Sequence, residues 1–75
     1  MPGICLNCNT FRSHMIAKTN SLLPTELELG NDFAIFHFNW AQDQQNAERS
    51  LRELNEFYGY RIYVDQGTRV CVVNN

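Results

Sequence analysis

Two thiols set three positions apart, in Cys5-Leu6-Asn7-Cys8, are the residues of this chain best suited to chemistry. A Cys-x-x-Cys knuckle turns tightly enough for both sulfurs to converge on one tetrahedral Zn²⁺. A structural site needs two further ligands, and the sequence supplies only His14, His37 and Cys71, scattered and unpaired. The candidate metal set is therefore Cys5, Cys8 and His14 with one remote donor, Cys71 ahead of His37, set against two ordinary thiols in an N-terminal arm. Alternatively, Cys5 and Cys8 of two chains complete one shared site by symmetry. No cofactor is expected of the chain, and zinc is the one that these residues would allow. A redox role needs the pair at a helix N-terminus after a buried strand, where the dipole lowers a thiol pKa, and no βαβ pattern surrounds this motif.

Other reactive constellations do not assemble. The chain has no Gly-x-Ser-x-Gly, no Gly-rich phosphate loop and no His-Glu-x-x-His. Glu26 and Glu28 alternate on one strand face, the ordinary pattern of a solvated surface. No catalytic residue is assigned, and the chain is expected not to be an enzyme. Six Lys plus Arg against eight Asp plus Glu, a net charge of −2, argue against coating nucleic acid by bulk electrostatics. Three cysteines cannot all pair within one chain, which suits a reducing compartment. The opening Met1-Pro2-Gly3-Ile4-Cys5 lacks the basic region and apolar stretch of a signal peptide. The apolar run from Phe33 to Phe38 is too short for a membrane span. A cytoplasmic protein with no membrane association is expected.

At 75 residues the chain has room for one core, so residues 1–75 form a single domain with residues 1–9 as an N-terminal Cys-x-x-Cys arm. A chain this short buries only about 60–65% of its unfolded surface and is marginally stable without metal, oligomerisation or dense aromatic packing. From Thr10 to Leu23 two periods compete. Thr10 could cap a helix carrying Phe11, Met15 and Lys18, or Phe11, Ser13, Met15 and Ala17 could alternate along a strand. The turn residues Thr19-Asn20-Ser21 and Pro24 favour the strand.

Beyond Pro24 the pattern is clearer. Glu26–Leu29 and Phe33–Trp40 flank Gly30-Asn31-Asp32 as a β-hairpin, with Ala34, Phe36, Phe38 and Trp40 facing the core. A helix over Gln42–Tyr58 follows, capped by Asn39 or Asp43 and ended by Gly59. Its apolar stripe is Ala47, Leu51, Leu54 and Tyr58, with Phe57 beside it, and Glu48/Arg52, Arg49/Glu53 and Arg52/Glu56 pair outside. A second hairpin joins Tyr60–Val64 to Thr68–Val73 through Asp65-Gln66-Gly67. A three-residue loop there puts Tyr60, Ile62, Val64, Val70 and Val72 on one face and Arg61, Tyr63, Arg69 and Cys71 on the other. The fold class is α+β, a two-layer sandwich of order β-β-α-β-β, with an optional N-terminal strand, packed on one helix.

That architecture leaves one sheet face in question. Phe33, Ile35, His37, Arg61, Tyr63 and Arg69 project away from the helix, a mixture of aromatics and arginines typical of protein interfaces. The stretch from Ala47 to Val73 resembles, in pattern alone, many small α+β proteins, including compact accessory proteins encoded by viruses. The expected function is a non-enzymatic protein-binding or inhibitory accessory module of virus or phage type. It acts through those six residues on another protein or as a homodimer. The alternative is a small zinc-stabilised nucleic-acid-binding domain in which the arginines contact phosphate.

Overall fold

The computed structural model describes residues 6–65 and 67–74. The element order is α1 (Leu6–Leu22), β1 (Glu26–Leu29), β2 (Phe33–His37), α2 (Ala41–Tyr58), β3 (Arg61–Val64) and β4 (Arg69–Val73). The strands form one antiparallel sheet in the order β1-β2-β4-β3. The chain leaves β2, crosses through α2 to the far edge as β3, and returns as β4 to fill the gap, a split β-α-β arrangement. The two-layer α+β class and the order β-β-α-β-β are as the sequence pattern implies.

The segment before Pro24 departs from the favoured strand: it is helix α1, and the helical layer therefore holds two helices. The reason lies in the polar, exposed Ser13 between its apolar residues. Phe11 and Met15, four apart and one helical turn removed from each other, are both fully buried in the core cluster, and Leu22 packs against it. Strand alternation would have turned Ser13 inward beside them. The Thr19-Asn20-Ser21 sequence is the last turn of the helix, where Thr19 Oγ1 donates back to Met15 O at 2.9 Å. Leu23 then ends the helix at φ 54, its N–H donating to Thr19 O, and Pro24 prevents continuation. Residues 6–9 of the expected arm belong to this helix.

The first hairpin pairs Leu29 with Ala34 and Glu26 with His37. A Cβ at Gly30 would overlap the Phe33 ring, so glycine is what lets that ring lie against the turn. β2 ends at His37 rather than Trp40. Phe38 is still buried, its N–H bonded to Thr68 O, but Trp40 is 69% exposed. Trp40 is the extended residue from which α2 springs (φ −129, ψ 141), so the chain has already turned off the sheet plane there. It makes no side-chain cap, and neither Asn39 nor Asp43 occupies the N-cap; Asp43 sits in the first turn, where it complements the helix dipole.

Along α2, Gln44, Ala47, Leu51 and Leu54 are buried, while Phe57 (79% exposed) and Tyr58 (53%) are not. An eighteen-residue helix is about 27 Å long, whereas strands of four or five residues span only about 17 Å, so its last turn overhangs the sheet. Gly59 closes α2 in the left-handed region (φ 74), donating to Asn55 O. Of the outer-face pairs, Glu48 and Arg52 are joined, and Glu53 instead lies 3.7 Å from Lys18 Nζ on α1.

The second hairpin pairs Val64 with Val70 and Arg61 with Val73, two residues out of step with the tightest three-residue loop. Because side chains alternate with period two, an even shift leaves both faces as expected. The core consists of Phe11, Met15, Ala34, Phe36, Phe38, Ala47, Leu51, Leu54, Tyr60, Val70 and Val72, all between the sheet and the two helices. Phe11 contacts Tyr60 edge-on, with centroids 5.0 Å apart and an interplanar angle of 87°. Replacing Phe11 by Ala should therefore lower the unfolding free energy by about 3–5 kcal/mol, the usual cost of truncating a buried Phe. Urea denaturation followed by circular dichroism reads this directly; a loss below about 1 kcal/mol would be incompatible with α1 docked through that ring.

Candidate functional site

Every residue on the sheet face away from the helices comes from the odd-numbered positions of β2, β3 and β4 and the even-numbered ones of β1. Read across β1-β2-β4-β3, they form three rungs. The first is Glu26, His37 and Arg69, with Asp65 beyond the end of β3 tied to Arg69; the second is Glu28, Ile35, Cys71 and Tyr63; the third is Phe33, Val73 and Arg61. The six residues singled out from sequence, Phe33, Ile35, His37, Arg61, Tyr63 and Arg69, thus share one surface. Phe33 (40% exposed) and Tyr63 (51%) stand out from it, while Ile35, His37, Cys71 and Val73 are half-buried between neighbours.

This face has a charged end and an apolar end. At the charged end Arg69 donates from Nε to Asp65 Oδ2 at 2.7 Å, and its Nη2 lies 2.7 Å from the same oxygen. Asp65 Oδ1 accepts the Gly67 N–H at 3.0 Å, so one carboxylate organises the turn and fixes the arginine. Gln44, buried beneath, donates to Asp65 O and Arg69 O at 3.1 and 3.0 Å and ties α2 to both ends of that turn. His37 Nε2 is enclosed without a hydrogen-bond partner among the described residues; Glu28 Oε1, at 3.9 Å, is beyond bonding distance. The glutamates of β1, which in the sequence look like a solvated strand face, are in fact one border of this surface.

Burial pulls the Asp65 carboxyl upward, but the Arg69 guanidinium and the N–H groups of Gly67 and Arg69 outweigh it and hold the group below the ordinary carboxylate value. Burial pushes the Cys71 thiol up, with Asp65 and Glu28 adding to the rise and Arg69 opposing it. That rise keeps the Cys71 thiol protonated near neutral pH.

His14, expected as a zinc ligand, lies on the opposite side of the sheet. Its Nδ1 is 3.1 Å from Tyr60 Oη and its ring packs on Tyr58 at 4.4 Å between centroids. Tyr58 in turn stacks on Tyr60 at 5.5 Å, and burial with the Tyr58 charge raises the Tyr60 pKa. Cys5 and the side chain of Cys8 fall outside the described residues. His37 and Cys71 sit on the outer face, so the sheet separates both from His14. Among the described residues no three His, Cys, Asp or Glu side chains gather as a metal site would require. A shallow depression of ≈ 250 Å³ lies elsewhere, between Gln45, Glu48, Arg49 and Arg52 on the solvent side of α2.

No protein-family model, curated protein or solved structure matches the chain. Among the described residues no helix is long and apolar enough to cross a membrane.

The Asp65 turn carries its own pH signature. A carboxyl whose folded pKa lies below its unfolded value contributes stability that is complete above about pH 4 and is lost as pH falls through the folded value. Amide NMR shifts of Tyr63, Gly67 and Arg69 should therefore leave their native positions together on acidification below about pH 4. Asp65→Asn should abolish that titration, and a wild-type turn that titrates identically to Asp65→Asn would show the carboxylate does not hold it.

Proposed function

We propose that this protein is a non-enzymatic binding module whose outer sheet face docks on another protein. The observation that carries the reading is the exposure of Phe33 and Tyr63 at the margins of a surface whose middle, Ile35 and Cys71, is apolar and only half-buried. Such a surface has the makings of an interface, with aromatic anchors around a desolvatable centre and charged residues at the margin.

Charge favours protein over nucleic acid as the ligand. Arg69 is already engaged by Asp65, which leaves Arg61 as the face's other guanidinium among the described residues, and Glu26 and Glu28 line the opposite edge. Phosphate contacts would have to overcome both glutamates. An inhibitory role, blocking a surface of the partner, needs nothing beyond such a face on a rigid support.

Ile35→Asp places an unpaired charge at the centre of the surface without touching the core side of β2. Affinity capture from cells expressing the protein, with quantitative mass spectrometry, should show at least a tenfold (about 1.4 kcal/mol) loss of retained partner for Ile35→Asp. Arg49→Ala, on the solvent side of α2, should retain it. Equal retention by both folded variants would overturn the reading. Single-strand oligonucleotide binding that weakens steeply with salt would move the assignment to the zinc-stabilised nucleic-acid-binding domain.

A further inference from the structure

The two edges of the sheet are built differently, and the difference points to a partner. β1, at one edge, carries Glu26 and Glu28 on the outer face. β3, at the other, carries Arg61 and Tyr63, followed by Asp65, with Ile62 and Val64 on the helix side. Tyr63 is 51% and Val64 42% exposed, and the strand has neither proline nor bulge to discourage pairing.

The hydrogen-bond phase of β3 follows from its neighbours. Phe38 N–H donates to Thr68 O and Asn74 N–H to Asp32 O, so the even-numbered residues of β4 direct their backbone groups toward β2. The odd-numbered ones, Cys71 and Val73, then bond to Tyr63 and Arg61 of β3. This leaves the N–H and C=O of Ile62 and Val64 turned outward along the sheet edge.

We infer that β3 pairs antiparallel with β3 of a second copy of this chain, about a two-fold axis normal to the sheet, to form one continuous eight-stranded sheet. An axis in that direction keeps each face on its own side, and centring the register on Tyr63 sets Arg61 against Asp65. Ile62 then bonds Val64 of the second copy and Val64 bonds its Ile62, using the backbone groups that point outward. Tyr63 meets Tyr63 of the second copy as the close, non-hydrogen-bonded pair. Arg61 falls opposite Asp65 of the second copy, twice by symmetry, so that unlike charges face each other across the seam. Hydrogen-bond phase, side-chain face and charge agree in this one register.

The same operation at β1 would set glutamates of one copy against glutamates of the other, which like-charge repulsion disfavours. The edges are therefore one self-complementary and one self-repelling, and pairing through β3 closes at two copies. Joining the sheets also matters for size. Four strands of four or five residues present a flat face of roughly 300 Å², against about 800 Å² that a standard protein interface buries on each partner; eight strands double it.

Sedimentation velocity of the untagged protein under reducing conditions tests the pairing, with a concentration-dependent species of twice the chain mass expected. Val64→Pro removes an N–H that the single chain does not use in its own sheet, and Arg61→Asp sets a second carboxylate against Asp65 of the other copy. Both should weaken the dimer at least about tenfold while leaving the circular dichroism of the monomer intact. Ile35→Asp should leave the dimer unchanged, which separates this pairing from docking on the sheet face. A wild-type chain that stays monomeric at millimolar concentration would overturn the inference, as would a dimer indifferent to both β3 variants. Assemblies growing past two copies and abolished by Glu28→Arg would mean head-to-tail pairing of β3 with β1, and would overturn it equally.

Discussion

The edge-on contact of Phe11 with Tyr60 ties the first helix to the start of the crossover strand, and the layout of the whole molecule turns on it. The two residues lie far apart in sequence. Joining them places α1 on the same side of the sheet as α2, and commits Met15 and Leu22 to the same core. The consequence is felt on the other side. With both helices used to seal one face, no described element remains to cover the odd-numbered residues of β2, β3 and β4. A small domain gains most by concentrating its apolar contacts in one core, because it has too few residues to build two.

Polar side chains finish what the aromatic contact begins. Lys18 reaches from α1 to Ser50 O and Oγ at 3.1 and 2.9 Å, holding the two helices side by side. Asn55 Nδ2 donates to Tyr60 O at 2.6 Å, fixing the chain as it leaves the left-handed Gly59. Gln44 performs the same service at the other end of α2, donating to two carbonyls of the β3–β4 turn. The buried Gln44 amide rigidifies because an unmade bond there costs more than a made one returns. The outer face is thus presented on a support pinned at both ends of its longest helix.

Much of the fold was legible because its periods were clean. The alternation of Ala34, Phe36 and Phe38, the helical stripe of Ala47, Leu51 and Leu54, and the partition of Ile62 and Val72 from Tyr63 and Cys71 all follow from one-residue parity, which survives a two-residue error in loop register. Thr10–Leu23 was not legible in the same way. Phe11 and Met15 are four apart, a spacing that satisfies both a helix and alternate positions of a strand, and only packing against Tyr60 decides between them. Trp40 and Tyr58 carried the right period but sit where the chain leaves the sheet, and burial requires an opposing surface as well as a pattern.

Local period and turn chemistry, both written in the order of the residues, were enough for the α+β class, the two hairpins, the central helix and the sharing of side chains between sheet faces. They could not reveal that β2 and β4 are neighbours, that β1 and β3 are the edges, or that Glu26 and Glu28 border the same surface as Tyr63 and Arg61; those relations exist only in the folded chain. Strand order is set by the crossover through α2 and by the competition of whole elements for one core. That competition is a sum over contacts distant in sequence, so no window of neighbouring residues contains it.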